Sequence, residues 1–549
     1  MGWTDRLPLD GLMMGEQLLL SRLIDYAADY HGKTEVVARE LDGTVARSDW
    51  ASVRRGAARM ANGLRAAGFD GECRVASLEW STLAHLQHYY AVLGLGLPLH
   101  TLNPRLTPDD LAYMVRLVGD DVVIFDTENA ALAASLAPLV PEVAAWISVG
   151  DIADELVAAF PRLIRESDLL AGAADAVIWP EFDENRAATI CFTSGTTGRP
   201  KGVAYTHRSI TLSAMNMSMA DMYANTRGGE AECVLPIAAM FHANAWMMPF
   251  SAALNGQKLV LPGRRLDAGP IVDLIVDEAV TLAGGVPTIW TGVLDELDRR
   301  GITSTPLRTA LVAGTALPGH IFDRLTERGV VARQSWGMTE VPGAARGAPP
   351  LGASRQTPEQ QRKLAVERQG RVAAQARARL VDGEGQPLPF DGVAAGDLEL
   401  RGPTVLSRYV GEPPEAAREW LATGDIAVIH PDATLAIVDR AKDVIKSGGE
   451  WISSPQLEAA AVSHPAIAAA AAIAMPHPRW QERPLLVCVA EAGLTVSDEE
   501  LRTHMEAAVA RWWLPEMIVY RADLPLTPTG KINKAALRAE YIEAEGSKR

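Results

Sequence analysis

Short apolar runs alternate with helical patterns through most of this 549-residue chain, and that alternation is its tightest constraint. VVIF (122–125) and KLVLPG (258–263) read as buried strands that end in turns. AGPIVDLIVDEAV (268–280) spaces its apolar residues three and four apart, as a helix with one face on a core does. Strands separated by such helices predict layered α/β structure with largely parallel sheets. The 48% of hydrophobic residues supply ample core. From Ser354 to Arg379 the chain is charged and rich in Gln, Arg and Ala, which predicts an exposed helix or excursion.

Around 437–449 the texture changes. IVDRAKDVIKSGGEW packs charges into a strand–turn pattern, and a complete set of elements follows it. SDEELRTHMEAAVARWW (497–513) reads as a helix opened by Ser497 with Glu500, with an apolar stripe through Leu501, Met505, Ala508 and Trp512. The predicted organisation is therefore a large α/β domain over 1–440 and a small α+β domain over 441–549.

Lys plus Arg number 52 against 68 Asp plus Glu, a net charge of −16. That balance argues against nucleic acid as a partner, and it requires any site for an anionic ligand to be locally basic. Cys73, Cys191, Cys233 and Cys488 form no CxxC pair, so neither a zinc site nor a disulfide framework is expected, and a reducing cytoplasm fits. The apolar N-terminal stretch is interrupted by Glu16 and Arg22, which predicts an amphipathic helix rather than a signal peptide. No other stretch approaches an integral membrane span.

TSGTTGRPKG (193–202) combines glycines, hydroxyls and a lysine. It is out of register for the P-loop of nucleotide hydrolases, since Pro200 stands five residues beyond Gly195 and Gly202 follows Lys201. Its backbone N–H groups, hydroxyls and ammonium suit phosphate oxygens, although a plain Ser/Thr/Gly surface turn explains these ten residues nearly as well. Its companions decide between the two. They are, in order, PIAAMFHANAW (236–246), LVAGTALPG (311–319), QSWGMTE (334–340), TGD (423–425), DRAKDVIKSGGEWIS (439–453) and PLTPTGKI (525–532).

Over nearly its whole length the chain thereby resembles the adenylate-forming superfamily of acyl-CoA synthetases, luciferases and adenylation domains. It looks most like the medium-chain and aryl-alkyl acyl-CoA ligases. The resemblance implies a large domain with a mobile small one, and ATP, Mg²⁺ and coenzyme A as cofactors. It also implies a reaction in two halves, in which a carboxylate displaces pyrophosphate from ATP and the CoA thiol then displaces AMP. By the same resemblance Thr193, Ser194, Gly195, Thr196, Thr197, Gly198 and Lys201 cradle the β- and γ-phosphates. Thr339 contacts phosphate and Glu340 binds Mg²⁺. Trp336 stands where the family usually has Tyr beside the adenine, between Gln334 and Gly337. Gly314, Thr315 and Ala316 line the adenine's other side, and Asp425 and Arg440 hold the ribose.

His242 is expected to orient the carboxylate, and Lys531 to stabilise charge at the carboxylate and α-phosphate. The resemblance further implies a hinge at Lys442, after which Lys446, Gly448, Gly449, Glu450 and Trp451 cover the pantetheine path, with Arg105 and Trp480 at the nucleotide end of CoA. It also implies that Trp246, Gly284, Gly285, Gly337 and Met338 line the acyl pocket. Acetate-specific relatives plug it with Trp at the position of Gly337, so a medium-chain fatty or aryl-alkyl acid is expected here. A stand-alone enzyme loading a carrier protein, a luciferase-like oxygenase and a non-catalytic nucleotide-binding protein are the alternatives, and a homodimer is left open.

Overall fold

The computed structural model describes residues 13–193, 199–219, 232–347, 355–448, 450–526 and 532–543. Two seven-stranded sheets dominate. One runs Leu163–Arg165, Ala145–Val149, Val122–Asp126, Val75–Leu78, Leu99–Thr101, Ala187–Phe192, Gly202–Thr206. The other runs Val331–Gln334, Thr309–Val312, Leu282–Gly285, Cys233–Pro236, Lys258–Leu261, Glu35–Arg39, Val45–Asp49. Only the last pair of each sheet is antiparallel. Val122–Asp126 is buried along its whole length, which is why VVIF shows no polar alternation.

Helices Trp50–Ala66 and Leu83–Gly94 lie between the sheets. Trp50, Val53, Tyr89 and Tyr90 share one core with Val36 and Leu259 of one sheet and Val75 and Leu99 of the other. The Trp50 indole is fully buried and donates to the Gln257 carbonyl at 3.0 Å. Removing a ring of that size from water stabilises the sandwich by about 4–6 kcal/mol. Further helices cover the outer faces, among them Pro287–Arg299 on one sheet and Pro108–Val118 on the other.

A three-stranded sheet (Trp336–Met338, Val341–Arg346, Arg371–Val372) and a four-stranded antiparallel sheet (Arg377–Val381, Ala395–Arg401, Leu421–Ile429, Leu435–Arg440) follow. In the small domain, Glu450–Ile452, Ile445–Ser447, Gln481–Ala490 and Ile467–His477 pair in that order, and Met517–Arg521 adds on parallel to Gln481–Ala490. Helices Ser454–Val462 and Asp498–Met505 close this core through Leu457, Leu501 and Met505.

Two sequence expectations shift, and a third, the exposed excursion at 354–379, holds. Ser497 does cap its helix, accepting from the Glu500 N–H at 3.2 Å, but the helix stops at Met505 and Trp512 lies exposed in a later short turn. The first helix among the described residues is Leu20–His31, which starts after Glu16; residues 1–12 of that stretch lie outside the described residues. The 354–379 excursion holds the exposed helix Pro358–Glu367, capped by Thr357 and Gln360, and then strands of the smaller sheets. Among the described residues no helix is long and apolar enough to cross a membrane.

Candidate active site

Four neighbouring parallel strands deliver the motif segments. Cys233–Pro236 leads into FHANAW, Leu282–Gly285 ends on the paired glycines, Thr309–Val312 leads to Gly314, and Val331–Gln334 leads to Trp336. Each segment emerges at a strand's carboxyl end, where open α/β sheets bind ligands. Ala187–Phe192 of the other sheet supplies the 193–202 loop in the same way.

Asp425 is a buried carboxylate held on both oxygens. It lies opposite Arg440 in an antiparallel pair and is 2% exposed. Arg440 Nε is 2.9 Å from Oδ1, and the Trp336 indole N–H donates to Oδ2 at 3.1 Å. Three residues expected to hold the nucleotide are thus brought together, with the indole tethered at its edge. Gly314 has φ +90, which only glycine adopts freely, and Thr315 and Ala316 follow it exposed. Gln334 is different. Its side chain is buried under helix Pro358–Glu367, with the amide nitrogen 3.0 Å from the Val366 carbonyl and the oxygen accepting from Gln369 Nε2 at 2.6 Å. Packing of that helix, rather than a ligand, occupies its hydrogen bonds.

Glu340 is buried and accepts from the Tyr409 hydroxyl at 2.7 Å. The Lys201 ammonium lies 4.8 Å from the centroid of the same ring, so one tyrosine connects the end of the phosphate-type loop to the acidic turn. Burial, and then Glu340 itself, push the Tyr409 hydroxyl upward, and it stays a donor at ordinary pH. Arg418 also approaches the ring, and its two-pronged pair with Glu412 (2.8 and 2.9 Å) holds Glu412 down at about 2. Backbone bonds tie the feet of this assembly. Thr193 N–H donates to the Lys201 carbonyl at 3.0 Å, Val410 N–H to Gly202 at 2.8 Å, and Leu406 N–H to the Glu340 carbonyl at 2.9 Å. The Tyr205 hydroxyl donates to the Thr339 carbonyl. Neither tyrosine had a sequence signal, since nothing in the spacing around SRYVGE marks position 409 as a partner of 340.

On the acyl side, the Phe241 ring packs between Trp80 and His242 at 5.7 and 4.8 Å. A Cβ at Gly284 would lie 2.5 Å from Met248 Cε and 3.2 Å from the Trp246 ring, so the absent side chain is what lets both residues close over that strand end. At Gly285 a Cβ would meet only ordinary contacts near 3.5 Å. Gly337 sits at a register shift in its hairpin, and its Cβ would fall 2.7 Å from the Gly343 amide nitrogen. Its glycine therefore serves the close approach of two backbones, and a larger residue there would move the hairpin before it plugged any tunnel. Met338 packs with Trp336 on the core around Val341 and Ala345.

On the small domain, Lys446 pairs with Trp451 and Ser447 with Glu450 in antiparallel register. Gly448, at φ +62, donates its N–H to the Trp480 carbonyl at 2.9 Å, and a Cβ there would stand 2.9 Å from that indole. Gly448 and Trp480, two of the expected CoA residues, thus meet, and Trp480 is 39% exposed with Arg479 over its face at 4.5 Å. Arg105 lies instead on the large domain, its guanidinium 5.4 Å from the centroid of Trp80. Burial pulls the Lys442 ammonium downward. Beside it Ser454 N–H donates to Asp439 at 2.7 Å, and Lys534 pairs with Glu458 at 2.6 Å. Ser194, Gly195, Thr196, Thr197, Gly198, Gly449 and Lys531 lie outside the described residues, as does the Glu450 side chain.

Motif segments at the carboxyl ends of neighbouring parallel strands, one of them tethered through Trp336 to the buried carboxylate of Asp425, form the architecture of an α/β nucleotide-binding enzyme. A family model for AMP-binding enzymes matches residues 24–410, and one for the AMP-binding enzyme C-terminal domain matches 456–531. The chain is 40% identical over 538 residues to the 3-methylmercaptopropionyl-CoA ligase of Ruegeria lacuscaerulensis, covering 97% of this chain and 99% of that protein. It is 38% identical to the medium-chain-fatty-acid–CoA ligase of Ectopseudomonas oleovorans, covering 97% of each. The fold is similar to that of an anthranilate CoA ligase solved with anthranoyl-AMP (TM-score 0.81, 20% identity, 98% and 99% coverage). The chain therefore belongs to the AMP-binding enzyme family, as an acid–thiol ligase of the AMP-forming kind.

Proposed function

We propose that this ligase activates a medium-chain or short substituted apolar acid as its adenylate and passes the acyl group to coenzyme A. The observation that carries the choice of acid is the close approach of Trp246 and Met248 to the Cβ position of Gly284, which gives the strand end beside the expected acid site apolar walls. Relatives named for 3-methylmercaptopropionate and for medium-chain fatty acids support acids of that size. Each methylene buried in such walls adds up to about 0.8 kcal/mol of binding, so specificity climbs with length until the pocket is full.

In this reading Asp425 accepts from the ribose hydroxyls, Trp336 stacks on the adenine, and His242 orients the acid. Glu340, a buried hard-oxygen donor, fits a magnesium ion that arrives with ATP, and the metal would supply charge neutralisation at the phosphates. Lys531 acts from the small domain in the first half-reaction, and Gly448 with Trp480 serves CoA in the second. The boundary at 440/441, the hinge at Lys442, a place in fatty acid metabolism and a cytoplasmic location belong to the same reading.

Pyrophosphate release measured over a ladder of acids, with and without CoA, tests it. A preference for acids of about four to ten carbons with CoA-dependent thioester is expected; a preference for acetate, or turnover that ignores CoA, overturns the reading. Lys531→Ala should slow adenylate formation by about two to three orders of magnitude and spare thioester formation from added acyl-adenylate. An equal fall in both halves removes its assigned role.

A further inference from the structure

Residues 243–247 are Ala, Asn, Ala, Trp and Met, and all have positive φ, from +33 to +63. Left-handed backbone costs an L-residue with a Cβ about 1–2 kcal/mol, so a full turn of it persists only where the surroundings over-determine it. Asn244 is fully buried at the centre of that hold. Its Oδ1 accepts from Thr189 Oγ1 at 2.5 Å, and its Nδ2 donates to the Tyr89 hydroxyl at 3.1 Å. Tyr89 in turn donates to the Met240 carbonyl at 2.6 Å, on the segment that enters the turn. The backbone N–H groups of Ala243 and Asn244 face the Cys191 sulfur. Thr189 and Cys191 are alternate residues of strand Ala187–Phe192, so both belong to one face of it, and that strand runs straight into the 193–202 loop.

We propose that Asn244 is a positioning residue: it locks the left-handed turn onto the strand that feeds the phosphate-type loop, and so fixes His242 and Trp246 at the acid site. The residue type suits the task, because asparagine tolerates the left-handed region and carries a donor and an acceptor on one rigid amide. Without the lock the turn is free to relax toward ordinary backbone, which carries Trp246 off Gly284 and misplaces His242. The inference rests on the ligase reading above and deepens it, since it says which residue sets acid specificity without touching the acid.

Asn244→Gly is the decisive variant, because glycine keeps the left-handed conformation accessible and removes only the side-chain ties. In full-length protein the KM for the best acid should rise about ten-fold or more, the loss expected for an unmade buried hydrogen bond. The chain-length ladder should flatten while the KM for ATP stays within about two-fold. Thr189→Val should act in the same direction, Thr189→Ser should restore the wild-type ladder, and the double variant should be no worse than Asn244→Gly alone. If Asn244→Gly does not fold, Thr189→Val and Tyr89→Phe carry the same expectation. An Asn244→Gly enzyme with the wild-type ladder, or one whose acid and ATP parameters worsen together, overturns the proposal. Absence of acid-dependent pyrophosphate release from the unmutated protein overturns the ligase reading itself, which separates the two failures.

Discussion

Deleting one oxygen atom, in Tyr409→Phe, probes how the site holds Glu340. The hydroxyl donates to a buried carboxylate at 2.7 Å, while the ring stays under the Lys201 ammonium at 4.8 Å. Phenylalanine keeps the ring and removes only the hydrogen bond. A hydrogen bond to a charged group is worth about 1.5–3 kcal/mol. At 1.36 kcal/mol per decade, that converts to a loss of about 10- to 150-fold if it is expressed in the rate. Acid-dependent ATP–pyrophosphate exchange should show it as a fall in kcat/KM for ATP, with the KM for the acid unchanged. Because burial and Glu340 both push the Tyr409 hydroxyl upward, it remains a donor across ordinary pH, and the defect should be as large at pH 6 as at pH 9. Wild-type exchange kinetics in Tyr409→Phe would refute the reasoning, as would a defect in the acid KM.

Other perturbations are equally direct. Gly284→Val places methyls into the space of Met248 and the Trp246 ring, so the acid ladder should shift to shorter chains at constant KM for ATP; an unchanged ladder puts the acyl pocket elsewhere. Gly448→Ala puts a Cβ against Trp480 at a positive φ, costing about 1 kcal/mol of backbone strain, and should impair thioester formation from added acyl-adenylate while exchange survives. Loss of exchange to the same degree would make the turn a folding element only. Burial pushes Asp439 up to about 6, with Lys534 opposing. The folded state therefore holds that proton more tightly than the unfolded chain, and Asp439 destabilises the fold as pH rises from about 4 through about 6. The Tm of Asp439→Asn relative to wild type should climb across that window and then level off; a pH-independent difference would show that Asp439 does not titrate there.

Much of the site was legible because its signals are local. Alternating apolar runs place strands and turn residues place their ends, while FHANAW, QSWGMTE and TGD are assigned to a site by their resemblance, in order, to the motifs of the adenylate-forming superfamily. Asp425 meets Arg440 through the register of an antiparallel pair, and Trp336 reaches the same carboxylate from another sheet. What sequence left out depends on partners far apart in the chain. Tyr409 matters through a carboxylate 69 residues away, and no periodicity encodes that distance. Gln334 lies inside a motif, yet a helix laid over it takes up its amide. Gly337 is missing a side chain because another strand's backbone passes there.

The turn at 243–247 marks the division most clearly. Ala, Asn, Ala, Trp and Met carry no preference for left-handed backbone sufficient to form such a turn alone. By itself the sequence determined the layered α/β fold and the small C-terminal domain, since these follow from spacing and residue type over short windows, and the order of its motif segments carried the family resemblance. Only the tertiary structure decided the hand of the turn that carries Trp246 and the hydrogen bonds that hold Glu340 and Asn244. Their energies come from groups brought together by the two sheets, and those exist only once the chain has packed.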